Sequence, residues 1–285
     1  VLHHSWWAIF AVFLAHVPLG MLPHIGNKLW ALKEPTQRMQ FIRLAFVFAL
    51  ILAMLGFGGI MARVILGEGI DSNQALALLF IDLFPSWFAA LLGVGILAAV
   101  MSTADGLVVS SSQIVANDLY RLSFVPRYRK DLSEEEVERR SLKISRISTV
   151  VIMLLCTLLA WQTLDMNVTI LVWIGVGCMM AAFAGPLILG SVWSGVTKAG
   201  AFAGLLSGGG VYIVTYLGLI NPDWFSPGML KEGALWLQRE SPNPYSCAAM
   251  GEVVSVVVTV VVSKLTKPYP QEHIDALFGK KEASA

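Results

Sequence analysis

Only 14% of the 285 residues are charged, three are cysteine and five are histidine. With 56% hydrophobic residues and a mean hydropathy of +0.70, the little polar surface available cannot cover a soluble globule. Cys156, Cys178 and Cys247 show no C-x-x-C spacing, which excludes a disulfide framework or a zinc site and leaves them as small apolar groups. His3, His4, His16, His24 and His273 never fall at ligand spacing on one helix. H-E-x-x-H, a phosphate loop and a nucleophile elbow are all missing, so a membrane enzyme would lack its catalytic cluster. No ten-residue segments of alternating hydrophobicity occur, which excludes a membrane β-barrel. No nucleic-acid partner is expected.

What is present is a series of apolar runs near the ~20 residues that span a hydrocarbon core. They cover residues 5–22, 42–61, 88–115, 147–163, 168–192, 201–219 and 247–262. The expected fold is all-α, a polytopic transmembrane bundle of about seven spans in a lipid bilayer. Seventeen of the twenty basic residues follow the first, third, fifth and seventh runs, and only Arg63, Lys231 and Arg239 fall in the other loops. The positive-inside rule then puts the C-terminus in the cytoplasm and Val1 outside, in the cell membrane. The chain opens on Val1, almost directly into a helix through Trp6 and Trp7. The expectation is that further helices of the same protein precede Ser5.

The loops carry local signals. Residues 71–84 place Ala75, Leu76, Leu78, Leu79, Leu83 and Phe84 at helical spacing after Asp71 and Ser72, predicting a short amphipathic helix on the outer surface. Ser133 to Glu136 forms a capping-box pattern that opens a charged extension of the fourth helix. Residues 221–245, with four prolines, read as irregular structure, and the tail after Pro270 as polar and short.

Four features carry possible chemistry. The segment from His16 to His24, with Pro18, Gly20 and Pro23, interrupts the first helix, because proline removes a backbone donor and glycine tolerates irregular dihedrals. Such a break is either a proline kink or unwound backbone that faces a solute. In the third run, Ala99, Ser102 and Thr103 stand at i, i+3 and i+4 on a ledge of small residues. Their oxygens suit a hard cation such as sodium, or the hydroxyls merely bond the carbonyl one turn back. Asp105 lies at a depth where a carboxylate meets an ion or proton, or pairs for structural reasons; Glu252 is the other acid within a span. Finally, Gly200, Gly204 and Gly208 form a small-xxx-small packing face, and Gly185-Pro186 permits bending in the fifth helix.

Ala98 to Asp105, followed by Ser110-Ser111-Ser112 and Asn117-Asp118-Leu119-Tyr120-Arg121, resembles the sodium:solute symporter family. Leu22-Pro23-His24-Ile25 looks like the corresponding motif of its pantothenate and acetate members. Ala184 to Gly190 through Trp193, then Gly200-Ala201, is similar to its proline and pantothenate members. The resemblance implies two inverted five-helix repeats plus flanking helices working by alternating access. Residues 5–192 would be the second repeat, 193–263 two added helices and 264–285 a cytoplasmic tail, all in one transporter domain. It implies sodium as the coupling ion, held by the Ala99 carbonyl and the Ser102 and Thr103 hydroxyls, with no other cofactor. Partner carbonyls would come from the preceding helices.

For the solute, an apolar fifth helix argues against a sugar and favours a small organic anion such as pantothenate or a monocarboxylate. His16, Pro18, Gly20, Trp173 and Gly177 are the candidate contacts, with His16 or the half-helix end near Gly20 meeting the carboxylate. A proline or amino-acid symporter is one alternative. A symporter-like sensory input module of a membrane histidine kinase is another.

Overall fold

The computed structural model describes residues 5–22, 25–26, 32, 34–67 and 69–278. Pro23 and His24, which complete the leucine-proline-histidine motif, lie outside the described residues. The helices are α1 (Trp6–Ala15), α2 (Pro35–Ala53), α3 (Gly56–Leu66), α4 (Ala75–Leu83), α5 (Ser86–Tyr128) and α6 (Glu134–Gln162). They continue with α7 (Val168–Val192), α8 (Lys198–Tyr216), α9 (Met229–Glu240), α10 (Pro244–Leu265) and α11 (Gln271–Phe278). Among the described residues, six helical stretches are long and apolar enough to cross a membrane. They are α2 with α3, α5, α6, α7, α8 and α10, and the chain is a multi-pass, all-α membrane protein. The first predicted span is shorter: α1 has ten residues and rises about 15 Å, half of a hydrocarbon core.

Proline sets that end. Pro18 has no N–H for the Leu14 carbonyl, which takes the Val17 N–H at 3.0 Å instead, and a single 3₁₀ turn over Leu19–Met21 follows. The expected interruption is therefore present. A second one separates α2 from α3, where the N–H groups of Met54, Leu55, Phe57 and Gly58 all bond three residues back.

The chain divides into two compact units, one of residues 26–167 and one of residues 1–25 with 168–285. In the first, α5 packs on α6 and α3 on α4. Ser133 caps α6 by accepting the Glu136 N–H at 3.3 Å, as the capping pattern predicts. In the preceding turn a backbone hydrogen bond, with help from Arg129, holds the Asp131 carboxyl below its usual range. Ser133→Ala is expected to cost about 1 kcal/mol of helix-start stability. Hydrogen exchange should show the Glu136 amide roughly five times faster, and an unchanged rate would remove the cap from the account. The short helix predicted within 71–84 is α4. The Ser72 hydroxyl accepts from Asn167 Nδ2 at 2.7 Å, fastening the start of this segment to the end of α6.

The core of the second unit is built from small residues. Ala8, Ala11 and Ala15 of α1 are fully buried and α1 packs on α10. Gly200, Gly204 and Gly208 of α8 face Ser263, Thr259 and Ser255 of α10 so closely that no Cβ fits between the helices. This is the packing face the four-residue glycine spacing predicts. Pro186 opens α7 into wide π-type turns over Ala184–Leu189. Its missing N–H leaves the Ala182 carbonyl without its usual helical partner, and the Ser255 hydroxyl donates there at 3.3 Å while accepting the Gly185 N–H at 3.0 Å. One side chain from α10 repairs the defect in α7, as dry surroundings require.

The reading of residues 221–245 as irregular is corrected. Pro222–Trp224 is a 3₁₀ turn and α9 is a twelve-residue helix. The prolines mark its limits rather than break it: Pro227 precedes Gly228, whose φ of 148° starts the helix, and Pro242 follows it. On α9, Ala234 is buried and Trp236 packs edge-on against Trp7, with ring centroids 5.6 Å apart. Glu240 is fully buried and accepts from the hydroxyls of Ser246 at 3.1 Å and Ser5 at 3.4 Å. The tail after Pro270, read as polar and short, carries α11.

Candidate functional site

The ledge lies midway along the regular α-helical part of α5, residues Ser86–Gln113. Ser102 Oγ donates to the Ala99 carbonyl at 3.0 Å and Thr103 Oγ1 donates to the same oxygen at 3.3 Å. Helical geometry alone produces this convergence, because i+3 and i+4 side chains rise on one face above the carbonyl of residue i. Three uncharged oxygens thus cluster on a single exposed face of α5. Such oxygens can hold a hard cation without the desolvation cost that a carboxylate would add. Asp105, one turn beyond Ser102, is exposed and hydrogen-bonds to none of them.

Past Gln113, α5 continues as π-type turns over Ile114–Phe124. The Val125 N–H reaches back five residues to the Tyr120 carbonyl, and Ser123 Oγ donates to the Asp118 carbonyl at 2.7 Å. Ser110 and Ser112 are buried just before this widening. Tyr120 then stacks on Phe124 with centroids 5.9 Å apart, and Phe124 meets Tyr128 at a tilt with centroids 5.1 Å apart.

The solute candidates fall in the other unit, and two of them, His16 and Trp173, come together there with Tyr245. The His16 ring lies 4.6 Å from Trp173 and 6.1 Å from Tyr245, and Trp173 lies 4.3 Å from Tyr245. His16 Nδ1 meets the Val12 carbonyl. A carbonyl only accepts, so Nδ1 carries a proton in this contact and Nε2 is the ring nitrogen left facing away from it. The Tyr212 hydroxyl donates to the Trp173 carbonyl at 3.2 Å. Gly177 is buried against Tyr212 and Ala248, where an added Cβ would stand 3.1 Å and 3.3 Å from them. That position serves the packing of the tyrosine ring. Pro18 is buried, and Gly20 is exposed with open space around it.

Tyr245 and Tyr212 escaped the sequence reading. Tyr245 follows Pro244 in what reads as loop, and Tyr212 sits on a helix read as a glycine packing face. The one sequence signal for Tyr245 is that no other aromatic residue follows it through Leu265.

The model of the sodium:solute symporter family matches residues 5–208. The sodium/proline symporter of Staphylococcus aureus, and those of its strains JH9 and Newman, are 31% identical to the chain over 174 residues. That match covers 60% of this chain and 30% of each relative. The chain therefore spans about 30% of the length of the curated relatives it matches. No solved structure matches it.

Proposed function

This chain belongs to the sodium:solute symporter family, and from that membership we propose that it forms the sodium-coordinating part of a sodium-coupled importer of a small organic solute. The observation that carries the proposal is the convergence of the Ser102 and Thr103 hydroxyls on the Ala99 carbonyl. Sodium is the co-transported substrate. These three oxygens supply one side of its shell, and the remaining ligands come from another helix that faces Ala99, because a hard cation takes more oxygens than three. Asp105 contributes long-range negative charge to the same face. In this proposal residues 5–192 are the second of two inverted repeats, residues 193–263 the added helices, and the C-terminus is cytoplasmic, with the solute exchanged by alternating access.

The solute is a small molecule bearing a carboxylate. The aromatic group of His16, Trp173 and Tyr245 offers it a ring surface, and the turn from Pro18 to Gly20 offers backbone groups that the broken helix leaves free. Proline enters as a candidate through the names of the relatives, beside pantothenate and the short monocarboxylates that the apolar α7 favours.

The test is uptake of labelled proline, pantothenate and acetate into proteoliposomes containing the protein that carries this chain, with and without an inward sodium gradient. Accumulation of one solute only with the gradient is expected. Equal uptake with potassium in place of sodium would sink the proposal.

A further inference from the structure

At the end of the bundle where α8 starts and α10 stops, a cavity of about 460 Å³ is lined by Thr197, Lys198, Phe202, Thr266, Lys267 and Tyr269. Its floor is rigid. Thr197 Oγ1 and Thr266 Oγ1 are 2.6 Å apart, Thr197 Oγ1 accepts the Gly200 N–H at 3.1 Å, Thr266 Oγ1 donates to the Val262 carbonyl at 2.8 Å and the Thr197 N–H donates to Ser263 Oγ at 3.1 Å. These hydroxyls and amides are therefore committed to joining the two helices. The two ammonium groups are not: among the described residues neither Lys198 nor Lys267 forms an ion pair, and no carboxylate lines the cavity. Asp275, on the following helix, is engaged by Gln271 Nε2 at 2.8 Å. Tyr269, whose ring is tilted at 35° to that of His273 with centroids 4.8 Å apart, also lines the cavity.

The apolar side continues along the helices. Phe202, Leu206 and Leu265 are 58%, 69% and 78% exposed and begin where the lysines end. Two cations without an ion-pair partner among the described residues, an aromatic hydroxyl and an adjoining apolar ridge, at the end of two membrane-crossing helices, match a ligand with a phosphate at one end and acyl chains at the other. We propose that this cavity is a specific binding site for the headgroup of an anionic phospholipid, its phosphate between Lys198 and Lys267 and its chains along Phe202 and Leu206. A zwitterionic headgroup would set its own cation beside the two lysines and is disfavoured. Free phosphate would leave the apolar ridge unused.

Native mass spectrometry of the full chain in detergent tests this, with phosphatidylglycerol and phosphatidylcholine of identical chains added in turn. One phosphatidylglycerol should be retained in preference to phosphatidylcholine. The Lys198→Gln/Lys267→Gln double variant should weaken that retention by roughly twentyfold, about fivefold per lysine, while Lys198→Arg/Lys267→Arg keeps it. Equal retention of the two lipids, or full retention by the glutamine variant, would overturn the site. So would displacement of the lipid by millimolar inorganic phosphate, which would assign the cavity to phosphate itself. Should the glutamine variant lose its helical circular dichroism, the comparison of the two lipids on the unaltered chain and the arginine variant decide. None of these readings depends on sodium or solute.

Discussion

Replacing Ser102 and Thr103 together by alanine is expected to raise the sodium concentration for half-maximal uptake about a hundredfold or more. Each hydroxyl removed takes one oxygen from the cation, and a polar contact to a charged partner is worth about 1.5–3 kcal/mol. Two such losses together exceed the 2.7 kcal/mol that corresponds to a factor of about one hundred. The change cannot be ascribed to a weakened helix. Both hydroxyls bond back to the Ala99 carbonyl, a habit that slightly destabilises helices, and alanine is the better helix former. Ser102→Thr and Thr103→Ser keep an oxygen at each position and should keep the sodium response within a few-fold. A double alanine variant with an unshifted sodium dependence would leave the ledge as helix structure only.

Gly208→Ala is expected to destabilise the unit of α1 and α7–α11 by about 2–3 kcal/mol, whereas Gly210→Ala, two residues along α8, should be neutral or slightly stabilising. A Cβ on Gly208 would collide with the Ala181 carbonyl and stand 2.7 Å from the Ser255 Cβ, while one on Gly210 meets nothing within 4 Å. The first collision is with backbone, which cannot swing aside, so overpacking costs of this order apply. It also reaches Ser255, the residue that repairs α7 around Pro186. Thermal unfolding in detergent separates the two variants. Equal melting temperatures would mean that α8 is not held by its close approach to α7 and α10.

Much of this was legible because membrane helices obey few rules. Apolar length located the six membrane-crossing stretches, and only the first run was overestimated, since its hydrophobicity continues past the proline at which α1 stops. The Gly200, Gly204 and Gly208 spacing announced its own packing face, and Ser133 announced the start of α6. The oxygens of Ala99, Ser102 and Thr103 were legible for the same reason: they are neighbours through helix periodicity. Features that depend on a distant residue left no such trace. The π-type turns of α7 are partnered by a residue of another helix, and Ser255 looks like any small residue until Pro186 is placed beside it. In residues 221–245 the prolines were read as disruption of structure, whereas the structure uses them as boundaries around α9. The aromatic group of His16, Trp173 and Tyr245 joins three separate elements, a relation that no periodicity within one helix records. Asp105 drew attention by its charge, yet it stands apart from the oxygens that converge.

The double hydrogen bond onto Ala99 bears on how fast a cycle can turn. Where ligand oxygens are left unsatisfied by the protein, a departing ion strands them, and the cost of stranding slows its escape. On α5 the two hydroxyl protons return to a carbonyl one turn away, so in the proposed cycle release leaves no polar group orphaned and exchanges ion contacts for internal ones. A site of this kind is tuned for letting go, which an importer must do once in every turnover.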